Sequence, residues 1–257
     1  MTSFAPLLFG NLLALYIAWE VIRFHRDYPS IKAAIAGGDM TARPKMYREW
    51  ILFEWICALL VLCALKFDWS KLTPGPWGLD EVFPRLSHAL TLGMVGGFVG
   101  AVVSGGLLMI AMRIRTNRRG TPARHSAALS RIKKHLPDFS WLIPVTPRER
   151  WLFAALSISA GICEEIVFRG WLLSTLHGWF GLQGLALVAV ASAAFGLAHS
   201  YQGAIGVVAT GTIGWVFCFL YVATGSLLVP ILIHILVDIR WVFVPAPRTA
   251  VIQAAHA

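Results

Sequence analysis

Glu164 and Glu165 stand side by side in the middle of a long apolar stretch, with Arg169 four residues on. A charged side chain at the centre of a membrane helix costs about 2.5–3.5 kcal/mol on insertion scales, so a chain that keeps two acids and an arginine there is expected to use them. Three further polar elements follow in apolar surroundings: Phe195-Gly-Leu-Ala-His199, the turn Ser200-Tyr201-Gln202-Gly203 directly after it, and His234-Ile-Leu-Val-Asp238. Helical spacing divides their roles. Residues four apart share a face, so Glu165 pairs with Arg169, while Glu164, about 100° round the helix, is left free for chemistry. The same spacing puts His234 and Asp238 on one face, where Asp238 can orient or charge-stabilise the imidazole. Together these groups suit the activation of water. Glu164 serves as general base, one histidine shares that task, and the second histidine with Asp238 stabilises the oxyanion of a tetrahedral intermediate. Two histidines and two carboxylates (Glu164, His199, His234 and Asp238) are also a donor set for zinc, although the chain contains no HExxH.

The elements that must position these groups are membrane helices. Of 257 residues, 57% are hydrophobic and only 14% charged, against about 25% charged in a soluble domain. The pattern predicts an all-α fold, a polytopic transmembrane helical bundle. With about 20 apolar residues needed per crossing, the chain divides into about seven spans: Phe4–Ile22, Trp50–Phe67, Leu86–Met112, Trp151–Thr175, Leu182–Ala198, Ala204–Thr224 and Leu227–Val244. A hairpin turning near Gly181 places Glu164 and His199 at the same depth, each about 17 or 18 residues from the turn and so about the same rise along its helix. His234 and Asp238 fall mid-span. His199 sits at the end of its own span, which predicts a turn within the membrane lining a water-filled cavity.

The net charge of +9 does not point to nucleic acid. The basic residues lie in two segments between apolar spans, Arg23 to Glu49 and Arg113 to Arg150, the distribution of cytoplasmic loops. The more balanced segment near Asp68, Asp80 and Glu81 then faces out, which puts the N-terminus outside and the C-terminus inside. The loops also offer contacts to anionic membrane lipid. Trp50, Trp69, Trp77, Trp151, Trp179 and Trp241 fall near span ends, as interfacial anchors do. Cys57, Cys63, Cys163 and Cys218 form no CxxC and read as small buried hydrophobes. The glycine-rich third span is read as close helix packing. Three regions result: 1–150 with N-terminal spans and basic loops, 151–244 with the candidate chemistry, and a short tail, 245–257.

EExxxR, FxxxH and HxxxD, in that order on successive apolar helices, resemble the CPBP family, the type II CAAX prenyl endopeptidases and bacteriocin-processing, Abi-type intramembrane proteases. The words CEEIVFRG, FGLAHSYQG and TGSLLVPILIHILVD carry the resemblance, from about Trp151 to Val244. It implies an intramembrane endopeptidase in which Glu164 bears the catalytic carboxylate and His199 helps it activate water. His234 and Asp238 form the oxyanion side, and Glu165 and Arg169 support the site. The family often has asparagine where this chain has Asp238. An ionised aspartate cannot donate to an oxyanion, so Asp238 either orients His234 or is protonated. Members are described both as zinc enzymes and as metal-independent glutamic proteases; no obligatory metal is expected here, zinc remaining the alternative on Glu164, His199, His234 and Asp238. The resemblance implies a peptide or membrane-protein substrate, a prenylated protein or a bacteriocin precursor among the candidates, and a prokaryotic inner membrane. Two other functions share the pattern. A non-catalytic scaffold or immunity protein would show degraded motifs, whereas every motif is present. A proton-coupled transporter would show paired inverted repeats, and none is apparent.

Overall fold

The computed structural model describes residues 4–79 and 141–244, with isolated helical positions between 93 and 111. All regular structure among these residues is helical: α1 (Phe4–Ala36), α2 (Ala42–Ala64), α3 (Pro147–Glu165), α4 (Leu173–Phe180), α5 (Gly184–Ala198), α6 (Gly203–Thr224) and α7 (Leu228–Ile239). The expected third span, most of the second basic segment and the tail 245–257 lie outside the described residues.

The start of α3 is set locally. Thr146 caps it by accepting from the Glu149 N–H at 3.2 Å, while Glu149 accepts from the backbone of Val145 and Thr146 at 2.6 and 3.1 Å. Pro147 occupies the first turn, where its missing N–H is harmless. The helix then runs unbroken through a π-helical stretch, Ile166–Leu172, into α4. It stops at Gly181, whose φ of 66° only glycine adopts without strain and whose N–H donates to the His177 carbonyl. From there α5 returns antiparallel to α3–α4. The short 3-10 turn Ser200–Gln202 then reverses the chain into α6.

Two of these helical units, Pro147–Phe180 and Ser200–Thr224, are long and apolar enough to cross a membrane among the described residues. Elsewhere two stretches among the described residues differ from the sequence pattern. Arg23 to Glu49 is not a loop: α1 continues to Ala36, and only the Gly37–Thr41 turn separates it from α2. Charged side chains do not break a helix, whereas Gly38, at φ 90°, does. At that turn Asp39 accepts from the Thr41 N–H and hydroxyl at 2.8 and 2.7 Å, which holds its carboxyl below the usual range. The last span is shorter than expected, because α7 ends at Ile239 and a 3-10 turn, Arg240–Phe243, comes next. Trp77 is buried in the bundle, and Cys63 is exposed while the other three cysteines are buried.

Large apolar side chains face outward along the bundle, among them Leu52 and Leu59 of α2, Leu185 and Leu197 of α5, Val208 of α6 and Leu232 of α7. α2 packs beside α3 in parallel. Arg43 lies 3.7 Å from Glu149, the Tyr47 ring meets Phe153 edge-on at 5.5 Å, and the Trp55 indole donates to Ser159 at 3.0 Å. Burial beside Glu149 pushes the Tyr47 phenol up. α3 and α7 touch where Gly161 leaves no side chain: an added Cβ would come within 2.5 Å of Ile235 Cγ1 and 3.0 Å of its backbone nitrogen. α5 and α6 close up at Gly196, where a Cβ would lie 2.5 Å from the Val207 carbonyl oxygen.

That last contact is with rigid backbone. Gly196→Ala is expected to destabilise the protein by about 1–3 kcal/mol, seen as a thermal unfolding midpoint in detergent lowered by several degrees. Gly178→Ala, whose added Cβ meets nothing within 4 Å, should leave the midpoint unchanged or slightly raised.

Candidate active site

Glu165 is completely buried, and its carboxylate is compensated twice. Oε1 accepts from Arg169 at 2.9 Å and from His234 Nδ1 at 2.9 Å. Arg169, itself 1% exposed, donates on to the Gly214 carbonyl of α6 at 3.2 Å. Its guanidinium lies over the rings of Phe195 and Phe217, 4.3 and 5.2 Å from their centroids. Phe195 thus packs between the arginine and His199, whose ring centroid is 4.9 Å away.

The adjacent acid faces another way. Glu164 points into a cavity of about 320 Å³ shared by His199, Tyr201, His234 and Asp238. Its Oε2 lies 3.7 Å from His199 Nε2 and 3.9 Å from His234 Nε2, with no hydrogen-bond partner among the described residues. The depth matching of Glu164 and His199 is therefore met in three dimensions. His199 Nδ1 is 2.9 Å from the Phe195 carbonyl oxygen. A carbonyl only accepts, so Nδ1 carries the hydrogen, and in the neutral ring Nε2 then turns a lone pair toward Glu164.

The structure gathers all six residues picked from the sequence, but it redistributes one role. The bond that orients the His234 ring comes from Glu165 at Nδ1, while Asp238 lies 3.5 Å from the opposite nitrogen, Nε2. Glu165 therefore braces two helices, pairing with Arg169 on its own helix and His234 on α7. Tyr201, in the turn after His199, also lines the cavity, and Gln202 donates to its hydroxyl at 3.3 Å while accepting from Thr210 at 3.2 Å. The residue that sequence reasoning passed over is Glu54 of α2, which lines the same cavity. The signal was present, an acid inside an apolar run, but its neighbours come from helices more than a hundred residues away.

Zinc bonds of about 2.0–2.2 Å set tetrahedrally bring donor atoms to about 3.4 Å from one another. The 3.7 and 3.9 Å separations around Glu164 are wider. Among the described residues no group of three or more His, Cys, Asp or Glu is arranged to hold a metal ion.

With this geometry in view, one comparison with known families finds a match over part of the chain. Residues 146–240 match the Rce1-like family, type II CAAX prenyl endopeptidases. The match bears out the resemblance carried by EExxxR, FxxxH and HxxxD. The Rce1-like family is one of membrane-integral peptidases. No curated protein and no solved structure matches the chain.

The buried ion pair makes a test of support without chemistry. Arg169→Met and Glu165→Gln each leave a buried charged or polar group short of a partner. Each should cost about 3–5 kcal/mol, whereas the double variant should cost clearly less than the sum. A double-mutant cycle of unfolding free energies in detergent measures the difference.

Proposed function

We propose that the protein is an intramembrane endopeptidase that cuts a peptide bond with a water activated by Glu164 and His199. One observation carries the reading: two acceptors, Glu164 Oε2 and His199 Nε2, face each other at 3.7 Å inside a cavity walled by membrane helices. A water held between them donates one hydrogen to each, which turns its lone pair outward toward a substrate carbonyl. Glu164 takes the proton as attack proceeds.

His234 stands on the other side of the attacked carbon. With Glu165 at Nδ1 and Asp238 beside Nε2, its ring has an acceptor at each nitrogen. A proton on Nε2 then serves the developing oxyanion, a term that grows in the transition state and is strong where water is excluded. Asp238 acts through His234, steadying the charged ring, and needs no proton to donate. The reaction proceeds without a metal, and zinc on Glu164, His199, His234 and Asp238 is the alternative that a chelator tests. The substrate is a membrane peptide or protein, a prenylated protein or a bacteriocin precursor being the two classes in view. The proposed location is a prokaryotic inner membrane with the N-terminus outside and the C-terminus inside, a topology supported by the basic segments.

Glu164→Gln and His199→Ala are each expected to lower turnover of a farnesylated CAAX peptide by 100-fold or more (general-base removal commonly costs about 10²–10⁴) with little change in thermal midpoint. Chelator treatment should leave the wild-type rate within about twofold of untreated enzyme. Cleavage undiminished in both variants would sink the mechanism, and loss with chelator restored by zinc would replace it with the metal alternative. Full cellular function in both variants would favour the scaffold or immunity reading.

A further inference from the structure

Glu54 is a further acid at the same centre, contributed by a helix that the family match does not include. It is 9% exposed, and its Oε2 has no hydrogen-bond partner among the described residues. Burying a carboxyl group in this state is costly, and side chains kept so inside a membrane protein usually serve a pathway or a reaction. Its position is fixed by its neighbours. Trp55, the next residue, is tied to Ser159 of α3, and Cys57 and Cys163 line the same small chamber as Glu54. The parallel packing of α2 on α3 therefore delivers Glu54 to the level of Glu164.

Two cavities meet at that level. The larger contains His234 and Asp238; the smaller, about 130 Å³ and mostly apolar, is bounded by Phe53, Cys57 and Phe168. Glu54, Glu164 and His199 line both. Glu54 also interacts electrostatically with Glu164, His234 and Asp238. A peptide bond lying across this junction with its carbonyl oxygen toward His234 has room to turn its nitrogen toward the α2 wall, where Glu54 lines both cavities.

Hydrolysis of an amide needs more than a base. The nitrogen leaves as an amine only if it gains a proton, and the groups assigned so far remove a proton or stabilise charge. We propose that Glu54 is a further catalytic residue of this centre, the general acid that protonates the leaving nitrogen. The inference rests on the water-activating reading of Glu164. In the first step water adds to the carbonyl carbon and its proton passes to Glu164. In the second the C–N bond breaks, its electron pair stays on nitrogen, and nitrogen takes the proton of the Glu54 carboxyl group. The proton held by Glu164 then returns to Glu54 across the shared cavity. Water and one peptide bond are consumed; one carboxylic acid and one amine are formed. Two acids lining one cavity can divide the labour in this way.

The decisive comparison uses one farnesylated CAAX peptide in two forms, with an amide or a thioester at the scissile bond. A thiol has a pKa of about 8.5, so a thiolate leaves without an acid's help. Glu54→Gln should lower kcat for the amide by about 100-fold, keep KM within threefold and leave thioester cleavage within threefold of wild type. Glu54→Asp, which retains a carboxylic acid, should keep more amide cleavage than Glu54→Gln. Equal losses on both substrates in Glu54→Gln, or no loss on either, would overturn the assignment. Glu164→Gln separates the two ideas: it should impair both substrates, and its retention of amide cleavage would overturn the water-activating reading whatever Glu54 does.

Discussion

A carboxylate withdrawn completely from water must be compensated where it lies, and the whole site depends on how this is done for Glu165. Its single oxygen Oε1 takes two hydrogen bonds, one from Arg169 and one from His234. The first neutralises it along its own helix. The second reaches across to α7 and fixes which nitrogen of His234 faces the cavity. Arg169 extends the connection to the α6 backbone and to two aromatic faces. Burying such charges is not a cheap source of stability, since apolar replacements often do as well. What the arrangement gains is a unique geometry, with three helices held in one register around a single oxygen.

The neighbouring acid is spared that duty by geometry alone. Adjacent helical residues point about 100° apart, so one of two consecutive carboxylates is absorbed by structure while the other looks into the cavity. The π-helical turn begins directly after them, at Ile166. Such turns are rare and recur at functional sites, because an extra residue in the turn re-aims the side chains beyond it. Here it lets the helix that carries the acids continue to Gly181 with a different phase.

Much of this was legible in the residues. The pairing of Glu165 with Arg169 obeys an i, i+4 rule that survives the π turn, and the hairpin arithmetic about Gly181 brings Glu164 to His199. Charge distribution was less informative. Arg23 to Glu49 looked like a loop because it is basic, yet backbone conformation there is governed by glycine, and only Gly37–Thr41 departs from helix. Contacts between helices far apart in sequence left no such trace. The spacing of His234 and Asp238 suggested that the aspartate orients the ring, but a closer acceptor arrives from α3. Glu54 has no basic residue three or four positions away to pair with; its place depends on α2 lying parallel to α3, a tertiary fact with no periodic signature.

That parallel packing has a consequence for how the protein comes into being. α2 is among the first helices to leave the ribosome, yet Trp55 must wait for Ser159, more than a hundred positions later, before its hydrogen bond can form. His234 arrives later still, and until it does Glu165 lacks one of its two donors. Contacts of such long sequence separation form slowly and late. The wall bearing Glu54 is thus made early and the side chains facing it last, so the cavity that gathers Glu54, Glu164, His199 and His234 is complete only once α7 has joined the bundle.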